Sequence, residues 1–341
     1  MSSRSQALQY YILARLLLAP LMIWTIVTVV FFLMRATPGD PADAILGTRA
    51  PESAKEVLRQ TLGLNKPLWQ QYLDYLGNLL HLNLGTSIYK GDSVWTIIGK
   101  HFPATVELAF YSMLVAVAVG IGVGILAASR PDTAWDAGGR LFGTITYSLP
   151  IFWVGMLLQL IFSVQLRWFP LGTRFPLNQP APEGVTGLYT LDSLLAGNPV
   201  QLATTLYYLA LPSFTLGLLL SGIFERMVRV NLKQALQADY VEAARARGIP
   251  ERRILMAHAL KNALIPVITV LGLTFAALLG GGVLTEVTFS WPGLGNQLYE
   301  AISLRDYPTV QGLMVFFGAI VVFASIFIDI INAYIDPRIR Y

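Results

Sequence analysis

Six long runs of apolar residues, each free of Asp, Glu, Lys and Arg, are separated by polar segments along the chain. Each run has about the 20 residues that a helix needs to cross a hydrocarbon core of about 30 Å. Lipid cannot satisfy free backbone groups, and continuous runs favour helices, whereas a β-barrel shows shorter alternating segments. The pattern therefore predicts an all-α membrane protein with six transmembrane helices. The predicted spans are Leu16–Met34, Leu108–Ala128, Leu141–Leu166, Leu202–Phe224, Ala263–Thr285 and Val310–Ile328.

Glycines recur within two of these runs: Gly120, Gly122 and Gly124 in the second, and Gly280 to Gly282 in the fifth. Because glycine has no side chain, these positions predict close contacts between helices. The first run follows basic residues, as a signal peptide would. Its apolar core is longer than that of a signal, however, and no small-residue cleavage site follows it. We therefore expect the first run to be a retained helix.

The distribution of charge gives the predicted helices an orientation. The chain has 341 residues, of which 55% are hydrophobic and 13% charged, with a net charge of +4 and no cysteine. With the N-terminus inside, the inner segments hold 14 of the 24 basic residues and seven acids, whereas the outer segments hold ten basic residues and twelve acids. This bias places both termini in the cytoplasm. The net charge then reflects topology and indicates no nucleic-acid partner, and the lack of cysteine excludes disulfides and thiolate metal sites.

The same topology divides the chain into three parts. Residues 1–34 form the N-terminal segment with the first span, residues 35–103 form a large external segment, and residues 104–341 form the core with five spans. The external segment contains leucines and aromatic residues at helical spacing between 68 and 80, which predicts an amphipathic helix. Two placements remain open: the helix lies on the outer leaflet, or it packs against the bundle. A second external segment, 167–201, is rich in Pro and Gly and is predicted to be a loop.

Between the fourth and fifth spans, residues 230–262 form a basic segment that we call the elbow. The sequence Gly248-Ile249-Pro250 predicts a break between two short helices, because Gly suits the left-handed position that ends one helix and Pro suits the start of the next. The first arm carries small alanines beside charged residues, a pattern suited to docking on a partner surface. The alternative is a solvated amphipathic loop that touches anionic lipid.

Several stretches of the chain, in this order, resemble one protein family. They are "RATPGDP" at 35–41, "LGLNKPLWQQYLDYLGNLLHLNLGTS" at 62–87, "EAARARG" at 242–248, "HALKNALIP" at 258–266, "FSWPGLG" at 289–295, "RDYPTVQG" at 305–312 and "DPRIR" at 336–340. The stretch "EAARARG" resembles the EAA loop in the permease subunits of ATP-binding-cassette importers. The form "HALKN" is similar to that of the dipeptide and oligopeptide branch. The resemblance covers nearly the whole chain.

The resemblance implies a type I importer permease whose EAA loop forms a coupling helix in a cleft of a cytoplasmic ATPase. By motif match, Glu242, Ala243, Ala244 and Gly248 carry the coupling role. It also implies a second permease subunit, usually a paralogue, two ATP-binding subunits and an external solute-binding protein. The chain contains no G-x-x-x-x-G-K-[ST] loop. We therefore expect no cofactor and no catalytic residue in this chain, with ATP and Mg bound by the partner ATPases.

Four polar residues near or within the spans are further candidates. For Glu107, near the start of the second span, capping of its own helix competes with lining a translocation path. For Gln159, hydrogen bonding between helices competes with contact to the substrate. Glu225 has Arg229 at i+4, which predicts an ion pair. His258 lacks neighbours at metal-ligand spacing, so we expect a polar contact within the elbow and no metal site.

The function expected from the resemblance is import of di- or oligopeptides across a prokaryotic plasma membrane, with lipid around the spans. Glutathione, nickel chelates and other small solutes are handled by similar permeases and remain alternatives. An intramembrane enzyme is less favoured, because no G-x-S-x-G elbow and no paired His and Asp occur in the spans. An enzyme would also have no use for the "EAARARG" stretch, which an importer needs. A channel or structural scaffold that works without ATP predicts that a bulky residue at Gly248 leaves function intact.

Overall fold

The computed structural model describes residues 2–36, 39–47, 49–61 and 63–335. Within these ranges the regular structure is helical, apart from an isolated β-bridge between Thr86 and Ser93. Two stretches, Gln159–Gln165 and Ile254–Ala259, are π-helical. The α-helices are α1 (Ser2–Ala36), α2 (Pro41–Leu46), α3 (Glu52–Thr61), α4 (Leu68–Leu80), α5 (Val94–Ala128), α6 (Ala134–Ser148), α7 (Ile151–Leu158), α8 (Tyr189–Leu195), α9 (Pro199–Leu236), α10 (Asp239–Ala246), α11 (Glu251–Arg253), α12 (Leu260–Ala263), α13 (Ile265–Leu279), α14 (Val283–Thr288), α15 (Leu294–Ser303) and α16 (Tyr307–Ile335).

The six predicted spans correspond to four long helices and two bent pairs. Helices α1, α5, α9 and α16 are each long and apolar enough to cross a membrane. The third predicted span is shared by α6 and α7. The fifth lies in α13 and α14, and α13 follows the second arm of the elbow, Glu251–Ala263, after a bend. The all-α membrane fold is therefore confirmed, with six spans when each bent pair is counted as one.

The third predicted span, Leu141–Leu166, is not one continuous helix. The axis turns by 100° between α6 and the helix that starts at Ile151. Leu149 and Pro150 both have extended backbones, with ψ of 134° and 129°. The proline ring excludes the helical conformation for the residue before it and removes a backbone donor, so the helix stops there.

The fifth predicted span, Ala263–Thr285, is also interrupted. A bend of 50° separates the second arm of the elbow from α13, where Pro266 lies in the first turn. Helix α13 then ends at Leu279, because Gly281 has a left-handed φ of +96°. The glycines expected only to bring helices together thus end this helix, although Gly281 also lies against the backbone of Gly295 in α15.

The centre of the bundle is the parallel pair of α5 and α9. A Cβ atom at Gly120 would lie 2.6 Å from the Cβ atom of Phe224, and one at Gly124 would lie 2.8 Å from that of Val228. The predicted close approach is therefore confirmed at these two positions, whereas Gly122 has no neighbour within 4 Å. We call the end where α5 and α9 begin the opposite end, and the end where α10 follows α9 the elbow end.

The segment between α1 and α5 lies at the opposite end. Helix α4 packs against the end of α1, where the Tyr72 hydroxyl bonds to Thr28 over 2.6 Å and the ring of Phe31 contacts Tyr72 and Tyr75. On the other side of α4, Trp69 and Leu73 are exposed. Packing against the bundle is thus confirmed for one face, and the described residues leave the other face uncovered.

Candidate functional site

The elbow forms the predicted helix, turn and helix. Helix α10 ends in a Schellman motif, in which the Gly248 amide donates to Arg245 O over 2.9 Å and the Ile249 amide donates to Ala244 O over 3.2 Å. Gly248 has the left-handed φ of +72° that this motif requires. Pro250 lies one position before the first residue of α11, where its carbonyl accepts from the amides of Arg253 and Ile254.

One face of α10 is fastened to the bundle. Val241 and Ala244 are buried in the same apolar cluster as Leu232 of α9 and Ile254 of the second arm. Ala244 was assigned to coupling by motif match, and the structure places it in this inner cluster. Its small side chain lets α10 lie close to the second arm.

The other face of α10 is available for contact. Glu242, Ala243 and Gly248, the remaining residues with a predicted coupling role, are exposed. Tyr240 is also exposed and lies one turn from Ala243. The exposed face thus combines an aromatic ring, a small apolar patch and an acidic group.

An ion pair joins the two arms across the turn. Arg245 Nε donates to Glu251 Oε1 over 2.6 Å, and Arg245 Nη2 donates to Glu251 Oε2 over 3.3 Å. The hydrogen bond from Arg245 lowers the pKa of Glu251, and the same bond raises the pKa of Arg245. The pair was not predicted from the sequence, because the two residues face each other only after the turn reverses the chain.

Two further ion pairs hold the base of the elbow. Glu225 Oε1 accepts from Arg229 Nε over 2.7 Å, which confirms the pair expected at i and i+4. Lys233 Nζ of α9 donates to Asp136 Oδ2 of α6 over 2.8 Å, and Asp136 has no solvent exposure. This second pair was missed, because nothing in the local sequence relates residues of two different spans. It ties α9 to α6 a few residues before α10.

His258 lies in the π-helical part of the second arm and is half-buried. Its backbone carbonyl accepts from Asn262 Nδ2 over 3.4 Å, but its ring makes no hydrogen bond to a described residue. The polar side-chain contact expected for His258 is therefore not found. Within the described ranges, no group of three or more His, Asp or Glu residues is arranged to hold a metal ion.

Glu107 lies at the opposite end, and each oxygen of its carboxylate accepts two hydrogen bonds. Its Oε2 atom accepts from Arg174 Nε over 2.9 Å and from Nη2 over 2.7 Å, and its Oε1 atom accepts from the Thr190 amide and hydroxyl, both over 2.7 Å. Because α5 begins at Val94, Glu107 is not in the first turn of its own helix, so the expectation of self-capping is wrong. The carboxylate instead holds the start of α8 and the loop that contains Arg174.

Gln159 also joins separate segments. Its Nε2 atom donates to Leu171 O over 2.6 Å and to Thr288 O over 3.0 Å. These contacts match the inter-segment hydrogen bonding that was weighed against substrate contact. Both candidate path residues, Glu107 and Gln159, thus hold the loops of the opposite end onto the helices.

A second buried carboxylate, Glu286, was not singled out from the sequence. Its Oε1 atom accepts from the Thr105 hydroxyl of α5 over 2.8 Å, and its Oε2 atom accepts from the Asn296 amide at the start of α15 over 2.9 Å. The fully buried Trp291 donates from its ring nitrogen to Ala104 O over 2.8 Å. The stretch "FSWPGLG" therefore connects the start of α15 to α5 through hydrogen bonds.

Comparison with known proteins finds two family models that match the chain. A family model described as binding-protein-dependent transport system inner membrane component matches residues 120–341. The model for the N-terminal part of such membrane components matches residues 8–109.

Individual relatives cover almost the whole chain. The chain is 42% identical to the di/tripeptide transport system permease protein of Pseudomonas aeruginosa, over 91% of this chain and 93% of that protein. It is 38% identical to the dipeptide transport system permease protein of Alkalihalophilus pseudofirmus, over 98% and 100%. It is 34% identical to an oligopeptide transport system permease protein of Bacillus subtilis, over 97% and 99%. The chain therefore belongs to the family of inner-membrane components of binding-protein-dependent transport systems.

Proposed function

We propose that this chain is a membrane-spanning permease subunit of an ATP-driven peptide importer, which forms half of the translocation path. The observation that carries the proposal is the structure of the elbow. Its short helix α10 packs against the bundle with one face and exposes the other face for docking. Relatives that match nearly the full length are named as permeases of dipeptide, tripeptide and oligopeptide transport systems, which supports a peptide as the cargo. Glutathione or a nickel chelate is the alternative cargo for the same machinery.

The proposed complex contains four kinds of subunit. This chain pairs with a second permease, a paralogue, and both rest on two ATP-binding subunits that hold ATP and Mg. An external solute-binding protein delivers the peptide. The elbow end faces the cytoplasm, as the excess of basic residues in that part of the sequence favours, and both termini lie on the same side.

The geometry of the elbow allows a displacement of α10 to be transmitted to the membrane-spanning helices. Val241 and Ala244 anchor one face of α10, the Arg245–Glu251 pair closes the angle between the arms, and the Lys233–Asp136 pair ties the base to α6. A displacement of α10 by a partner is then passed to α9 and α13 as rigid bodies, because a packed joint deforms little. Hydrolysis in the ATPases would reset the position.

The proposal is tested with two substitutions at Gly248. The complex is reconstituted in vesicles with its partner subunits, and ATP-dependent uptake of a labelled dipeptide is measured. A Cβ atom at Gly248 meets no atom within 4 Å, so any cost of a side chain comes from the left-handed backbone, about 1 to 2 kcal/mol. We expect Gly248→Leu to lose at least about tenfold in uptake, whereas Gly248→Asn retains most of it, because Asn tolerates this conformation.

Uptake that persists without ATP, or that is unchanged in Gly248→Leu, would instead indicate a channel. The cargo is tested in the same vesicles by competition. Unlabelled di- and tripeptides should suppress uptake, and suppression by glutathione or a nickel chelate alone would replace the peptide by that solute.

A further inference from the structure

A cavity of about 360 Å³ lies at the opposite end, between the end of α1, helix α4 and the first turn of α16. Its volume is within the range of pockets that bind small molecules. The rim carries the exposed residues Lys66, Asp74 and Asn78, whereas Leu84 and Gln311 on the far side are buried. The cavity is thus a cleft with a polar mouth and a closed floor.

Two polar groups of residues that line this cavity have no hydrogen-bond partner among the described residues. Gln311 is only 5% exposed, and its Nε2 atom makes no hydrogen bond within the described residues. The hydroxyl of Tyr75 is likewise buried and unpaired, and both side chains line the cavity. Buried polar groups are satisfied in the great majority of cases, so two unpaired groups in one cavity point to a ligand.

The third polar group is the guanidinium of Arg35. It lies 3.6 Å from the ring centre of Phe31, and Nε donates to Gln71 Oε1 over 2.8 Å, which fixes the plane of the group. Nη1 donates to Phe31 O over 3.4 Å, whereas Nη2 makes no hydrogen bond to a described residue. Arg35 also lines the cavity, so it brings there a positive charge and a donor, Nη2, that no described residue occupies.

The charges at the mouth do not cancel that of Arg35. Lys66 and Asp74 pair with each other over 2.7 Å, which leaves the cavity with one net positive charge. An amide N–H₂, a hydroxyl and a guanidinium together offer donors to an acceptor that is negative and has several lone pairs. A carboxylate has this chemistry, and a cation does not.

We propose that this cavity binds the carboxylate of a small solute, with Arg35, Tyr75 and Gln311 as its donors. The three residues come from α1, α4 and α16, so an occupied site would fasten α4 to two spans. The proposal concerns a site separate from the elbow and does not depend on which cargo the importer carries.

The experiment uses the full chain with whatever subunits co-purify with it in detergent, where both ends are accessible. The probes are N-acetylglycine and its neutral amide, N-acetylglycinamide, and binding is measured by saturation-transfer NMR titration. We expect the carboxylate to bind at least about tenfold more tightly than the amide, since hydrogen bonds to a charged group are the stronger ones. Equal binding of the two probes, or no binding of the carboxylate, would overturn the proposal.

Two substitutions locate the site. Tyr75→Phe removes one donor and keeps the ring that stacks on Phe31, and Gln311→Glu places a negative charge where a donor stood at nearly equal volume. Each should weaken binding of N-acetylglycine about tenfold. The matched controls are Tyr89→Phe and Gln70→Glu, which make the same chemical changes at residues between α1 and α5 that do not line this cavity.

If Gln311→Glu does not fold, Tyr75→Phe decides alone, and thermal unfolding of each variant shows which have folded. Affinity that is unchanged in Tyr75→Phe, or lowered equally by the control variants, would refute the site.

Discussion

Glu107 accepts four hydrogen bonds while both it and Arg174 are almost fully removed from solvent. Arg174 also donates to Gly187 O and lies over the ring of Tyr189. A buried ion pair of this kind contributes little compared with an apolar pair, but loss of one partner leaves a buried charge with no counterpart. At the scale of single residues, the carboxylate of Glu107 therefore holds the loop that contains Arg174 and the start of α8.

Replacement of that carboxylate has a predicted cost. Glu107→Gln keeps the shape and removes the charge, so we expect the free energy of unfolding to fall by about 3 to 5 kcal/mol. The measurement is reversible unfolding in mixed micelles. The control is Glu183→Gln in the same loop, where the side chain is exposed and a change within about 0.5 kcal/mol is expected. Equal effects of the two substitutions would show that the Glu107 pair does not hold the loop.

The Arg245–Glu251 pair predicts a pH dependence of the elbow. Because the hydrogen bond from Arg245 lowers the pKa of Glu251 from its ordinary value of 4.5, the pair stabilises the folded turn above about pH 4.5. This contribution is lost as the pH falls through the lowered pKa. We expect protection of the Gly248 and Ile249 amides from hydrogen exchange, corrected for intrinsic rates, to fall in that acidic range.

The variant Glu251→Gln should show lower protection above pH 4.5 and a weaker pH dependence below it. Glu242→Gln is the matched control, since Glu242 is an exposed acid of the same elbow and makes no ion pair within the described residues. A pH dependence that is the same in Glu251→Gln and the parent would assign it to another group.

At the scale of elements, α10 has two faces, with packing as the task of one and docking as the proposed task of the other. Val241 has no solvent exposure and packs with Ile254, whereas Ala243 is exposed two positions further on. A helix of eight residues is too short to be stable in water by itself, so its form depends on the packed face. Residues on the exposed face are then not needed for the stability of α10 and are available for the proposed docking.

A pair of substitutions separates these tasks. Val241→Asp buries an unpaired charge, and we expect trypsin to cut the elbow at least about tenfold faster. Ala243→Asp should leave the rate of cleavage as in the parent and lower ATP-dependent uptake, because the charge lies on the face that is proposed to dock. Rapid cleavage of both variants would mean that α10 has no free face, and normal uptake by Ala243→Asp would place docking elsewhere.

At the scale of the whole molecule, the bundle is organised around the glycine seam of α5 and α9. Gly120 and Gly124 face Phe224 and Val228 at distances that leave no room for a Cβ atom. Helix α6 joins the same seam, where Gly143 faces the carboxylate of Glu225. Lipid gives helices no hydrophobic reason to associate, so close packing at small residues has to supply the attraction.

The seam predicts opposite outcomes for two neighbouring glycines. Gly120→Ala forces α5 and α9 apart, and we expect a loss of about 1 to 3 kcal/mol in the free energy of unfolding. The Cβ atom that Gly122→Ala adds meets no atom within 4 Å. The substitution should leave the free energy of unfolding unchanged or raise it by at most about 1 kcal/mol, since alanine favours the helix. Unfolding in mixed micelles compares the two, and a similar loss for both would attribute the effect to the helix itself.

Much of the architecture was predictable from local sequence. Hydropathy summed over about 20 residues predicts a span whatever the rest of the chain does, because the solvent is lipid along the whole segment. The turn at Gly248 was predictable for a similar reason, since the φ of one glycine and the ring of Pro250 act within a few residues. The i and i+4 pair of Glu225 and Arg229 belongs to the same class.

The sequence by itself therefore determined the six apolar segments, their helical form and the break in the elbow. The tertiary structure alone decided the burial of Ala244 and the partners of the buried carboxylates. Glu107 and Arg174 are 67 residues apart, and Thr105 and Glu286 are 181 apart. Tyr75 of α4 and Gln311 of α16 line one cavity although they are far apart in the sequence. Local preferences act over a few residues, whereas such contacts depend on which helices the folded bundle brings together.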